Sequence, residues 1–416
     1  MSRTNQVFSL DVRLQNELVG QLLRLPNDRY EFYFDDAYAA REDRPVLSLG
    51  MIGPSGELVP PRSTASKLPP FFSNLLPEGA YREMVAQMIG VHPDQEFFLL
   101  WTLGVDMAGA VTASEPHLDD LPSDFRGHVP EEFRLRIAIA GAQRKLFAND
   151  RIDLAPGVKA TFRATYKGQN DFIVKIPSAR YQHLVANEYS MMKFAAEAGI
   201  EIPEVEIVPL DDVENVPLNL VSEKEVLLVR RYDRVNGVKI HQEDFAQIFN
   251  QFAVDKYKDR SYANIAAVIN HFAGEEQMKE FIRRLVFNVF IGNGDMHLKN
   301  WSFVYPDGRT PVLAPAYDYV STLTYLPGDA MGLKVGSVKS FEKIDLDSFR
   351  RLAKRARLPE GVVAQEALGM AEKLRDIWPA FRDNSGLDQS ITGAIDQHLD
   401  RVPLLQAPPL APIRTV

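Results

Sequence analysis

The stretch FNVFIGNGDMHLKNWSFVYPDGRTPVLAPAYD, running from Phe287 to Asp318, decides how the rest of the chain is read. It opens as the end of an apolar helix, with Ile282, Leu285, Val286, Val289 and Phe290 at helical spacing. Gly292, Asn293 and Gly294 break that helix. A polar loop carrying Asp295, His297, Lys299 and Asn300 follows. Next come the strand-like run WSFVY, a Pro-Asp-Gly turn, and a second apolar run that delivers Asp318. The pattern predicts a hairpin that returns two acidic groups and an amide to one place, with a cation site for a phosphate donor and a base beside it.

The residue types suit that chemistry. Phosphoryl transfer needs a carboxylate to orient an attacking hydroxyl and take its proton, and hard oxygen ligands for Mg²⁺. Asp295 and Asn300 stand in the spacing D-x-x-x-x-N, which the protein-kinase catalytic loop uses for its base and one metal ligand. Asp318 would supply the second metal ligand, although Tyr319 and Val320 replace the Phe-Gly of D-F-G. The narrower string G-D-x-H-x-x-N, Gly294 to Asn300, is also similar to the catalytic loop of phosphoinositide kinases. Taken alone, the loop has a plainer reading, an aspartate and an asparagine that bind turn amides.

Outward from this stretch, composition narrows the classes. The chain has 416 residues, 45% hydrophobic and 25% charged, which predicts a folded protein of two to three domains. A net charge of −9 argues against a free-standing nucleic-acid binder. With no cysteine, disulfides, thiolate zinc sites and cysteine nucleophiles are excluded, and a reducing, cytoplasmic setting is expected. No long apolar segment marks a signal peptide or a membrane span.

Residues 7–50 read as short strands: VFSLDVRL, LVGQLLRL and YEFYFD, with a turn at Pro26-Asn27-Asp28. Phe71 to Gly90 reads as one helix stopped by Gly90, and Phe97 to Leu103 as another. Met107 to Thr112 leads into a strand, and Glu115 to Glu132 is the best linker of the first half. From 134 to 176 the chain reads as a β-rich nucleotide lobe. Gly141 sits in a small-residue turn followed by Arg144 and Lys145, where backbone amides can hold phosphate. Lys175 lies in the apolar strand FIVKIP, similar in form to V-A-I-K, whose lysine contacts nucleotide phosphates. The plain alternative leaves its head in water. Glu188, on the helix that follows, either pairs with this lysine or is solvated. Strands VEIVPL and VLLVRRYDRV come next, with backbone near Arg230 and Tyr232 as the expected hinge to adenine. Helical patterns occupy His241 to Arg284 and continue after the hairpin to about Leu399.

In order, FFSNLLPEG (71–79), GAVTA (109–113), RIAIAGAQRK (136–145), FIVKIP (172–177), NEYSMMKFAAEAGIEIPEVEI (187–207), VRRYDR (229–234), GNGDMHLKN (292–300) and APAYD (314–318) resemble the HipA-type serine/threonine kinase toxins of bacterial type II toxin–antitoxin systems. The resemblance implies an α+β, bilobal kinase-like fold that uses ATP and Mg²⁺. It divides the chain into 1–114, an N-terminal β-rich part; 115–233, the nucleotide-binding part; and 234–416, a helical lobe. It makes Asp295 the base and Asn300 and Asp318 the metal ligands. It places Lys175 and His297 on phosphate, the backbone at Arg230 and Tyr232 on adenine, and Ala108, Gly141 and Lys145 at the nucleotide. The implied substrate is a serine of an aminoacyl-tRNA synthetase, commonly the glutamyl enzyme, with translation halted. The implied partner is a helix-turn-helix antitoxin, with operator DNA reached only through that complex.

One position departs from the family. Its members carry a serine before the A-G-A-Q turn whose autophosphorylation switches the kinase off. Here Ala138 stands there, and no serine occurs between Ser123 and Ser178, so that residue cannot accept phosphate. The basic run Arg350, Arg351, Lys354, Arg355 and Arg357 reads first as a solvated face. By resemblance, Lys354 and Arg357 match positions that touch operator DNA. Two other functional classes remain at this point: a lipid or small-molecule kinase, suggested by the catalytic-loop string, and an inactive co-repressor scaffold. The first lacks a basic membrane face, and the second would have lost a base or metal ligand.

Overall fold

The computed structural model describes residues 8–116, 145–147, 171–175, 177, 181–213 and 224–408. The chain forms two compact units. The first comprises Met1–Ile176, Val208–Lys256 and Ser302–Thr310, and the second Pro177–Ile207, Tyr257–Trp301 and Pro311–Val416.

The first unit is β-rich. Its larger sheet runs in the order Thr64–Ala65, Arg29–Phe34, Glu17–Leu25, Phe8–Leu14, Val111–Ser114, and neighbouring strands are antiparallel. Two tight reversals set its register. Gln15 and Asn16 have φ of 49° and 72°, and Asn27 and Asp28 have φ of 64° and 52°. Paired left-handed residues match the natural twist of a hairpin. Leu10, Val12, Leu14, Val19, Leu22, Tyr30 and Phe32 are buried in one core with residues of the Glu96–Leu103 helix, where Phe97 stacks on Tyr30 with ring centroids 6.2 Å apart. In a second sheet Phe172–Lys175 runs antiparallel to both Lys145–Phe147 and Glu225–Arg230.

Two expected helices differ in this unit. The run 71–90 is broken into Pro70–Ser73 and Gly79–Met88. Pro77 explains the break: it has no N–H to donate and pushes Leu76 out of helical backbone. The helical pattern after His241 opens instead as a strand, His241–Asp244, paired with Ser302–Tyr305. The helix behind it is only Phe245–Ile248, started by a capping box between Asp244 and Gln247.

The second unit is mostly helical. Leu184–Glu197, Tyr262–Ala273, Glu275–Ile291, Leu346–Ala356, Glu360–Asn384 and Gln389–Leu399 are its helices of ten residues or more. Phe194 sits in an aromatic centre with Phe287, Phe290, Trp378 and Phe381 at 4.8–5.8 Å between ring centroids. Such rings bury large area and lock neighbouring helices through their shape. Glu275–Ile291 ends where the sequence predicts. Gly292 takes φ 65°, the left-handed C-terminal cap that glycine adopts without strain. That cap aims the chain into the polar loop. No described helix is long and apolar enough to cross a membrane.

Candidate active site

The loop after Gly292 is built on Asn293, a fully buried asparagine. Its Oδ1 accepts from the Asp295 backbone N–H at 3.1 Å. Its Nδ2 donates to Asn288 Oδ1 at 2.8 Å and to the Asp318 carbonyl at 3.3 Å. One side chain therefore joins the helix end, the residue predicted to be the base, and the residue predicted to hold metal. Asn300 is tied in as well, its Nδ2 donating to the Asp295 carbonyl at 2.9 Å. That bond commits the amide nitrogen and leaves the oxygen of Asn300 as the atom able to meet a cation. Asn293 and Asn300 thus tie the backbone at Asp295 to the backbone at Asp318.

Asp318 has φ 57°, a left-handed conformation that non-glycine residues adopt at a cost. Its flanks hold it there. Tyr319 is buried with its ring 4.9 Å from Phe287. Asn187 clamps Ser321 from both sides, donating to its carbonyl and accepting from its N–H, each at 3.0 Å. Thr322 accepts from the Gly294 N–H at 3.0 Å, and its hydroxyl lies 3.0 Å from the Gly292 carbonyl and 2.9 Å from Asp329 Oδ2. A Cβ at Gly294 would run into that Asp329 carboxylate, so glycine is required for close approach. Tyr262, also buried, donates to the Met296 carbonyl at 2.7 Å, and burial pushes its hydroxyl well above the usual tyrosine range.

The side chain of Asp295 remains 60% exposed, while His297 beside it is buried, its Nε2 3.9 Å from Asp295 Oδ1. Tyr257 donates its hydroxyl to the same Oδ1. An accessible carboxylate with a fixed backbone is what a general base for an incoming hydroxyl requires. The Asp318 carboxylate and the Asn300 amide oxygen are hard ligands, and the described residues hold no group of three or more His, Asp or Glu side chains that could bind a metal by itself. That set fits Mg²⁺, which takes one or two carboxylates and completes its shell with water and substrate phosphate.

Of the predicted nucleotide residues, Lys175, Lys145, Arg230, Tyr232 and Ala108 fall in the first unit and His297 in the second. Lys175 is only 5% exposed, so the reading with its head in water does not hold. Glu188, in the second unit, is 2% exposed and is not a solvated helix residue. Lys175 stands opposite Leu227 on one side and Lys145 on the other in strand register. Arg230 lies with its guanidinium carbon 4.7 Å from the Phe172 ring centroid. After it a buried network braces Tyr232: Arg231 pairs with Asp233 at 3.0 Å and with Asp106 at 3.4 Å, and Arg234 donates to the Gly109 carbonyl at 2.9 Å. Asp233 accepts from the Gly109 N–H at 2.7 Å. Burial alone would raise the Asp233 carboxyl, and Arg231 and Arg234 hold it below the usual range. This network fixes the turn that contains Ala108. Gly141 and Ala138 lie outside the described residues. Lys354 and Arg357 are exposed at the end of the Leu346–Ala356 helix.

Sequence reasoning passed over Asn293, Thr322, Tyr257 and the Arg231–Asp233 network. Asn293 was visible only as part of a helix-breaking Gly-Asn-Gly. Thr322 and Tyr257 carry no spacing signal because their partners lie far along the chain, and the Arg231–Asp233 pair gains its remote partners, Asp106 and Gly109, only on folding.

A β-rich unit with a buried strand lysine and a helical unit with an aspartate–asparagine loop define an α+β, bilobal kinase-like fold. Residues 10–114 match the HipA N-terminal domain, and residues 137–378 match the HipA-like C-terminal domain. The Sinorhizobium fredii protein named "Putative kinase Y4dM" is 40% identical over 406 residues, 96% of this chain and 98% of that one. The "Serine/threonine-protein kinase toxin HipA" of Shewanella oneidensis is 28% identical over 309 residues, 63% of this chain and 65% of its own length. Among solved structures, Shewanella oneidensis HipA, determined with HipB and operator DNA, has a TM-score of 0.69 at 20% identity, over 95% of this chain and 96% of that chain. The chain belongs to the HipA family and is a protein kinase.

Proposed function

We propose that this kinase transfers the γ-phosphoryl group of ATP, with Mg²⁺, to a serine or threonine hydroxyl of a protein, and that it acts as the toxin of a toxin–antitoxin pair in the cytoplasm. Asp295 orients the acceptor hydroxyl and takes its proton. Asn300 and Asp318 would hold the metal, which would supply charge neutralisation at the phosphate. Lys175 and His297 face phosphate, with assistance from Lys145 and the Gly141 turn, and the Ala108 turn and the backbone at Arg230 and Tyr232 meet the nucleotide. The observation that carries this reading is Asn293, whose two amide atoms tie Asp295 to Asp318. The acceptor class proposed is an aminoacyl-tRNA synthetase, the glutamyl enzyme first, and the partner a helix-turn-helix antitoxin through which Lys354 and Arg357 reach operator DNA. The Shewanella relative's complex with HipB and operator DNA supports the antitoxin partner. Because Ala138 has no hydroxyl, self-inactivation at that residue is absent.

The test is labelling of a bacterial lysate with radioactive ATP by the wild type and by Asp295→Asn. One labelled synthetase band is expected from the wild type, and a loss of orders of magnitude from the variant, which still binds nucleotide. Label in lipid alone, or full activity in the variant, overturns the reading.

A further inference from the structure

Tyr257 contacts the proposed base from within the same unit, on an exposed stretch that runs to Arg260. Its hydroxyl donates to Asp295 Oδ1, and its ring meets His297 edge-on, centroids 5.0 Å apart and planes at 80°. The segment is fastened at this residue and again beyond it. Lys339 Nζ lies 3.4 Å from the Tyr257 carbonyl and 2.7 Å from that of Gly332. Five residues on, Tyr262 donates its N–H to the Lys334 carbonyl at 3.2 Å and its hydroxyl to the Met296 carbonyl at 2.7 Å. The backbone around Tyr257 is therefore registered on the catalytic loop, while the side chain itself stays 39% exposed.

That combination has a chemical meaning. A serine hydroxyl about to be phosphorylated must donate a hydrogen bond to the base, and here a hydroxyl of the protein already does so. A hydrogen bond at a solvent-facing carboxylate contributes little net free energy, so a hydroxyl positioned by a docked polypeptide can displace the tethered tyrosine, whereas unpositioned water competes less well. The backbone anchors keep the tyrosine near; they do not lock its hydroxyl in place. We propose that Tyr257 is an internal stand-in for the acceptor. It occupies Asp295 Oδ1 while no protein substrate is bound, keeps water from using the base, and is displaced by a polypeptide that brings its own hydroxyl. Tyr257 is then a specificity-determining residue, one that makes phosphate transfer conditional on docking. The inference rests on the reading of Asp295 as the base.

The test uses the full-length protein with Mg²⁺ and ATP alone, water being the only acceptor, and follows release of inorganic phosphate. Tyr257→Phe keeps the ring and its contact with His297 and removes the hydroxyl. It should raise hydrolysis several-fold with the KM for ATP unchanged, and Tyr257→Ser should do the same. Adding Asp295→Asn to Tyr257→Phe should abolish the gain. Hydrolysis that is unchanged or lower in Tyr257→Phe, with Asp295→Asn inactive, overturns the stand-in and leaves the kinase reading intact. Hydrolysis and lysate labelling that survive Asp295→Asn at the wild-type level overturn both.

Discussion

Each unit of the molecule contains a carboxylate that accepts from a tyrosine hydroxyl, and the two pairs behave differently. In the first unit Glu243 is fully buried. It accepts from Tyr305 at 2.5 Å, from Ser48 Oγ at 2.6 Å and from the Leu49 N–H at 2.9 Å. These contacts join three separate segments. In the second unit Asp295 accepts from Tyr257 with most of its side chain in solvent. The chemistry is the same, and burial sets the use. A carboxylate enclosed with its donors must keep them, since each donor left without a partner costs about 1–3 kcal/mol. One at the surface can trade a donor for another at little cost. The difference teaches that the exposed pair depends on other residues for its geometry, and that Asn293 is the first of these.

Asn293→Ala should therefore give the largest effect. Removing both amide contacts frees Asp295 and Asp318 to drift, and displacements of about 1 Å at reacting groups cost roughly 10²-fold in rate. The kcat for labelled-phosphate transfer is the measurement. A loss of less than about threefold would show that the Gly-Asn-Gly backbone alone holds the loop, and would remove the contrast between a self-sufficient buried pair and a dependent exposed one.

The next effect compares the pairs directly. Glu243→Ala strands three donors and should lower stability by about 3 kcal/mol. Asp295→Ala, at a largely exposed side chain, should shift stability by no more than about 0.5 kcal/mol while ending transfer. Chemical denaturation of both variants, each judged against its own phosphate transfer, decides this. Equal destabilisation would mean that Asp295 is as structural as Glu243.

The same contrast explains what the chain reveals before folding. The candidate catalytic loop is legible because its parts are local: Asp295 and Asn300 are five positions apart, and Gly292 caps the helix that leads to them. The hairpins of the first unit are legible because Asn27 and Asp28 mark a reversal. Glu243 is not legible. It sits in the run His241–Asp244, whose strand character depends on pairing with Ser302–Tyr305, and its donors Ser48 and Tyr305 come from segments remote in sequence. Lys175 shows the middle case. Its strand was readable from alternation, but its burial, which excludes the solvated alternative, follows from the sheet closing on both sides. The helix expected over 71–90 failed for a local reason, Pro77, that apolar spacing masked.

The last effect is in the pH dependence of stability. Burial pushes Glu243 up to about 7 from 4.5, outweighing the three hydrogen bonds that favour its charged form. Between those values the folded protein holds a proton that the unfolded chain has released. Stability from this group is complete below about 4.5 and is lost as pH rises through about 7. Its neighbour works in the opposite sense. His241 stacks on Tyr305 at 5.4 Å and donates from Nε2 to the Leu47 carbonyl, and burial lowers it to about 4 from 6.5. Between about 4 and 6.5 the unfolded chain binds the extra proton, so His241 adds stability as pH rises. The two slopes offset one another in the wild type, and the difference between the wild type and Glu243→Gln isolates the glutamate. Relative to the wild type, that variant should gain stability as pH rises from about 4.5 to about 7, by at most about 1.4 kcal/mol per pH unit. Urea midpoints taken across that range measure it. A difference that stays flat would mean that Glu243 is charged in the folded protein throughout, held by Ser48, Leu49 and Tyr305 strongly enough to overcome burial, and the two tyrosine–carboxylate pairs would then share a charge state and differ only in access to solvent.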